Sequence, residues 1–188
     1  QSAEKVYVNP GFLHTLPETN LRSGIAEMLK HALLQGNETL EKVLALQASD
    51  FYQLDRIKAS IEFKSRIVAC DPNDNDLRQI LNLGHSVGHA LESHSMNLPV
   101  ALFHGEAVML GLIVEMILSH SIFGLPLHYA EQLWQFKQKI FPDLRFHFHW
   151  QDLQHYLIND KKNDHGLRMS LLAAIGDCRW QVNVSSAQ

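Results

Sequence analysis

Cysteine is scarce in this chain. Its two thiols, Cys70 and Cys178, lie far apart in a sequence of 188 residues, which argues against a disulfide framework or a cysteine-built zinc knuckle. Positive charge is also short: 16 Lys and Arg against 20 Asp and Glu leave a formal charge of −4. That balance offers no basic surface for nucleic acid. No uninterrupted apolar run approaches the roughly 20 residues that cross a bilayer, so no membrane segment is expected. The opening Gln1–Ser2–Ala3–Glu4 has neither the basic nor the apolar block of a secretion signal, and a soluble cytoplasmic protein is the expectation. Neither a strand leading into G-x-G-x-x-G nor a P-loop occurs, so the residues show no nucleotide cradle of their own. The chain also starts without methionine, on the strand-like Lys5–Val6–Tyr7–Val8 running into Asn9–Pro10–Gly11. It reads as the middle of a longer polypeptide.

What is present in quantity is apolar residues, 46% of the total, enough to core a single domain over residues 1–188. Helical spacing of Ile25, Met28, Leu29, Ala32 and Leu33 predicts a helix from about Leu21 to Gln35. Gly36–Asn37 ends it, and Asn37 can cap a second helix from Glu38 to about Ala48. Asp50 is placed to cap a long third helix reaching Cys70, stopped by the polar turn Asp71–Asp76. Residues Gly105 to Phe123 are apolar almost all round, the mark of a buried central helix. Further helices are expected over Tyr129–Ile140 and Trp150–Ile158. Arg168–Ala174 and Arg179–Val184, split by Gly176–Asp177, read as a hairpin. The expected fold is mainly α, with a small β element at each end.

The most informative stretch is Arg78–Gln79–Ile80–Leu81–Asn82–Leu83–Gly84–His85–Ser86–Val87–Gly88–His89–Ala90–Leu91–Glu92, followed by Phe103–His104–Gly105–Glu106–Ala107. His85 and His89 are spaced to share one helix face, and each follows a glycine. His104 opens the next apolar run. Three imidazoles so placed suggest an open catalytic metal site. Arg78 and Asn82 share the same spacing and could line one groove, Arg gripping carboxylate or phosphate by two bonds. By spacing alone they serve equally well as a solvated charge and a turn residue. Glu27 and Lys30, three apart, read by themselves as a surface ion pair worth a few tenths of a kcal/mol. Lys64, Glu106, Lys161 and Lys162 are uninformative in isolation.

Taken in order, Gly24–Ile25–Ala26–Glu27–Met28–Leu29–Lys30, Lys64, the Arg78–Glu92 phrase, His104–Gly105–Glu106–Ala107–Val108 and Asp160–Lys161–Lys162 strongly resemble 3-dehydroquinate synthases. The resemblance spans nearly the whole chain but only that family's helical C-terminal domain. Asn-x-Gly-His-x-x-Gly-His is its most specific element. The leading segment and Leu16–Pro17 look like the point where the family crosses from its nucleotide domain.

The resemblance implies a metal, Zn2+ or Co2+, on Glu27, His85 and His104. It implies substrate contacts from Lys30, Lys64, Arg78, Asn82, His89 and Lys162, with Lys161 as the competing register, and catalytic roles for His89, Lys30 and Asn82. Glu106 would support His104 or the helix start. It further implies NAD+ bound mainly by an upstream domain, and a homodimer. The phosphorylated sugar acid 3-deoxy-D-arabino-heptulosonate 7-phosphate would be closed to 3-dehydroquinate with loss of phosphate, in the shikimate pathway. Another sugar phosphate cyclase, a related metal-dependent polyol dehydrogenase and a non-catalytic domain that kept the fold remain open. The isolated domain is expected to be inactive. His31 departs from the aromatic or small residue expected after Lys30.

Overall fold

The computed structural model describes residues 4–158 and 167–184. Among the described residues seven α-helices run in order: α1 (Glu18–Gln35), α2 (Asn37–Ala45), α3 (Leu54–Cys70), α4 (His85–Ser95), α5 (His104–Phe123), α6 (His128–Ile140) and α7 (Trp150–Ile158). An antiparallel hairpin of β1 (Arg168–Ala174) and β2 (Asp177–Asn183) follows. The fold is mainly α, as the spacing predicts. Helix boundaries differ by a few residues where short 3-10 turns intervene. Asp50 caps the 3-10 turn Ala48–Tyr52 rather than α3, its carboxylate accepting from the Gln47 N–H at 2.9 Å.

The expected N-terminal β element is not there. Lys5–Val8 has no strand assignment, and Val6 and Tyr7 are 79% and 88% exposed. A strand needs a neighbour to satisfy its backbone groups, and no described segment lies alongside to supply one.

α5 is the centre of the domain. Ala107, Val108, Met109, Leu112 and Met116 are sealed from solvent, and α4, α1, α6 and β1 pack around them. Its 20 residues, including an 18-residue window with a mean hydropathy of 1.6, match a membrane span in length and composition. An unbroken apolar run is the wrong test for such a helix, because Glu106, Glu115 and two histidines interrupt it. Its apolar faces are nevertheless used inside the protein, since Leu, Val and Met buried against other helices already leave water.

Two close approaches set how α5 meets its neighbours. A Cβ on Gly105 would lie 2.1 Å from Cα of Ser23 on α1, and a Cβ on Gly111 would lie 2.1 Å from the Gly84 carbonyl oxygen ahead of α4. Only a residue without a side chain permits either contact. The hairpin is fastened to the same centre, the Leu172 N–H donating to Oγ of Ser119 at 3.0 Å. It also steadies the 3-10 turn Leu77–Asn82: Ser170 Oγ donates to the Gln79 carbonyl at 2.8 Å.

Candidate metal centre

Three elements bring Glu27, His85 and His104 together. Glu27 lies midway along α1, while His85 and His104 are the first residues of α4 and α5. One ligand atom from each falls within 4.8 Å of the others. Glu27 Oε1 is 3.2 Å from Nε2 of His85 and 3.8 Å from Nε2 of His104. The helix starts matter because a side chain there projects past the end of its own helix, toward α1.

The protons decide what this cluster can hold. Nδ1 of His85 is 3.1 Å from the Leu83 carbonyl, which can only accept, so Nδ1 carries the hydrogen. Nδ1 of His104 is 3.3 Å from Oε2 of Glu92, again an acceptor when ionised. Each neutral ring therefore turns the lone pair of Nε2 toward Glu27. Glu27 Oε1 is buried, and among the described residues no hydrogen bond reaches it. Three acceptors facing one point repel unless a positive charge sits among them, either an added proton on an imidazole or a cation. Two nitrogens and one carboxylate oxygen, each imidazole backed by an acceptor, fit a divalent metal of the zinc type.

Glu27 is held as a carboxylate. Burial pushes its pKa up, but the His85 imidazole, when it carries that added proton on Nε2, and the Lys30 ammonium outweigh that and hold it well below the usual carboxylate range. Glu27 and Lys30 are not the surface pair their spacing suggests. Lys30 is 3% exposed, and its Nζ meets Glu27 Oε2 at 2.7 Å and the Leu81 carbonyl at 2.8 Å. Burial lowers the pKa of that ammonium, and the Glu27 carboxylate opposes the shift. The helix turns Lys30 inward because it sits on the same face as Ala26 and Leu33, both fully buried.

A cleft of about 460 Å³ opens beside these ligands, lined also by Lys30, Lys64, Arg78 and Asn82. A hollow of about 280 Å³ adjoins it, sharing Asp74, Asn82 and His85 and adding His89 and Arg168. Arg78 is presented by a loop that Asp71 organises, its carboxylate accepting backbone N–H groups from Asn75, Asp76 and Arg78. Those bonds offset a small burial cost and lower the Asp71 pKa. The His89 ring centroid is 5.4 Å from that of His85 and 5.9 Å from that of His104. Lys161 and Lys162 lie outside the described residues.

Three participants are absent from the sequence expectations. Glu92 orients His104, whereas Glu106 accepts from the Phe103 N–H at 2.9 Å and so serves the helix start. Arg168 reaches the hollow from the hairpin, which spacing within the motif does not predict. Glu115, a carboxylate in the middle of an apolar helix, is a visible signal. It is fully buried and accepts from the Gly84 and Val87 N–H groups. Burial pushes its pKa up to about 8, against those hydrogen bonds.

Residues 24–163 match the family described as 3-dehydroquinate synthase C-terminal. The chain belongs to the 3-dehydroquinate synthase family. A 3-dehydroquinate synthase of Parabacteroides distasonis is 34% identical over 185 residues, which cover 96% of this chain and 52% of that protein. The enzyme of Lysinibacillus sphaericus is 37% identical over 180 residues, covering 92% and 49%. The chain thus spans about half the length of the curated relatives it matches. Among solved structures, 2-deoxy-scyllo-inosose synthase, complexed with carbaglucose-6-phosphate, NAD+ and Co2+, superposes with a TM-score of 0.73 at 22% identity, covering 90% of this chain and 49% of that one. The 2-epi-5-epi-valiolone synthase of Streptomyces hygroscopicus, with NAD+ and Zn2+ bound, gives 0.73 at 24% identity, covering 95% and 51%. At those identities the likeness is one of fold.

Proposed function

We propose that this chain is the metal- and substrate-binding half of a 3-dehydroquinate synthase, acting on 3-deoxy-D-arabino-heptulosonate 7-phosphate. The observation that carries the reading is the convergence of Glu27 Oε1 and two imidazole Nε2 atoms on one point that needs positive charge. Glu27, His85 and His104 would hold the ion, Zn2+ or Co2+. When bound, that ion supplies Lewis acidity at a substrate hydroxyl.

The chain's own residues do the rest. Lys30, Lys64 and Arg78 line the cleft with cationic groups suited to the carboxylate and phosphate of a sugar acid phosphate. Several charged contacts at once hold the substrate in one pose, which lowers the entropic barrier to ring closure. Asn82 can donate to one substrate oxygen while accepting from another. His89, which is not among the three converging ligands, is the group to carry protons between substrate positions, since imidazole titrates near neutrality. Lys162, or Lys161 in the other register, is assigned to the substrate from the family motif.

NAD+ belongs in this reading to the part of the full-length enzyme that the chain does not span. The assembly is assigned as a homodimer, and the compartment as the cytoplasm. The test is phosphate release from the seven-carbon substrate with NAD+ and zinc, comparing this chain with one carrying the upstream half. Release by the longer chain alone is the expected result. No release by either, with zinc bound, refutes the assignment of substrate.

A further inference from the structure

Glu115 does not line the cleft, yet it is a fully buried carboxylate in an apolar helix. Such a group persists only where donors meet it. Its donors are the backbone N–H groups that open α4: Gly84 donates to Oε2 at 2.5 Å and Val87 to Oε1 at 3.2 Å. His85 lies between those two residues. Gly84 stands at the cap position of α4 and has no side chain with which to cap it. The capping oxygens arrive from α5 instead, accepting from both amides at the start of α4.

The approach is built from one face of α5. Gly111, one turn before Glu115, lies against the Gly84 carbonyl and the Gly88 N–H, where a Cβ would come to 2.1 and 2.8 Å. Leu112 fills the space where a Gly84 side chain would stand, at 2.7 Å. Both imidazoles are therefore referenced to a single helix. His104 is the first residue of α5, and His85 is held to α5 through the amides that flank it.

We propose that Glu115 is a positioning residue of the metal centre: by gripping the amides on either side of His85, it fixes the direction from which that imidazole reaches toward Glu27. The inference rests on the reading of Glu27, His85 and His104 as a metal-binding set. A cap that served stability alone would leave the ligand geometry untouched when lost.

The experiment titrates Co2+ and Zn2+ into the wild-type protein, Glu115→Gln, Glu115→Asp and the control Met116→Leu. Calorimetry gives affinity, the visible cobalt bands give ligand geometry and circular dichroism checks the fold. Gln retains the shape but sets an NH2 group against a backbone N–H. Asp retains the carboxyl group but is too short to span both amides, and it keeps the test open if the Gln variant does not fold. Expected is a Co2+ affinity about tenfold weaker or more in the Glu115 variants, with altered cobalt bands, and wild-type metal binding in Met116→Leu. Lower melting temperatures with unchanged affinity and bands in the Glu115 variants overturn the proposal alone. Failure of the wild-type protein to bind Co2+ overturns the metal reading and this inference with it.

Discussion

Glu92 Oε2 lies 3.3 Å from Nδ1 of His104, across the loop that joins α4 to α5. The contact fixes the His104 tautomer and points Nε2 at Glu27, so a residue outside the ligand set decides which nitrogen the set can use. Glu92→Gln keeps an acceptor but removes the charge. Metal affinity is expected to fall by about tenfold, with helical content retained. Titration with Co2+ checks this, and an unchanged affinity would remove Glu92 from the metal site.

Gly105 is the seam between α1 and α5. Gly105→Ala sets a Cβ 2.1 Å from Cα of Ser23, a backbone atom that cannot swing away. The helices must part, at about 1–3 kcal/mol or more. Glu27 and His104 ride on those two helices, so metal affinity should fall together with the denaturant midpoint. Loss of stability with full metal affinity would show that the ligands reach each other by another route.

His31 makes the protein sensitive to mild acid. The ring is buried and beside the Lys30 ammonium, which together lower its pKa from 6.5 to about 4. The unfolded chain therefore binds more protons than the folded one between these values. Stability is full above pH 6.5 and drains away as pH falls toward 4, by about 3 kcal/mol from this group. Thermal midpoints from pH 7 to 4 for the wild type and His31→Phe measure it. The wild type should lose more over that window, and parallel curves would contradict the assignment.

Arg78 is separable from the metal. Its Nη1 donates to the Pro72 carbonyl at 3.0 Å, and its position depends on the Asp71 loop rather than on either histidine. Arg78→Ala should leave Co2+ binding as in the wild type. In the full-length enzyme it should raise KM by about 10- to 100-fold, the loss of charge-assisted hydrogen bonds worth 1.5–3 kcal/mol. An unchanged KM would exclude it from holding the substrate's anionic groups.

Much of this was written along the chain itself. Helical period, glycine stops and the polar turn at Asp71–Asp76 determined where α1, α3, α5 and α6 run, because local hydrogen bonding and one apolar face suffice to specify a helix. The ordered motifs also named the residues that meet in the cleft. Tertiary structure decided what those residues do. Lys30 and Glu27 look like a surface pair in sequence, yet packing against the motif turns them inward and sets a buried lysine against a half-buried carboxylate. Lys5–Val8 has the composition of a strand but no neighbour among the described residues to pair with. The assignment of Glu92 to His104, and of Glu115 to the start of α4, depends on α4 and α5 lying side by side. Such contacts join residues far apart in sequence, and no periodicity encodes them: they exist only once glycines at 105 and 111 let the helices touch.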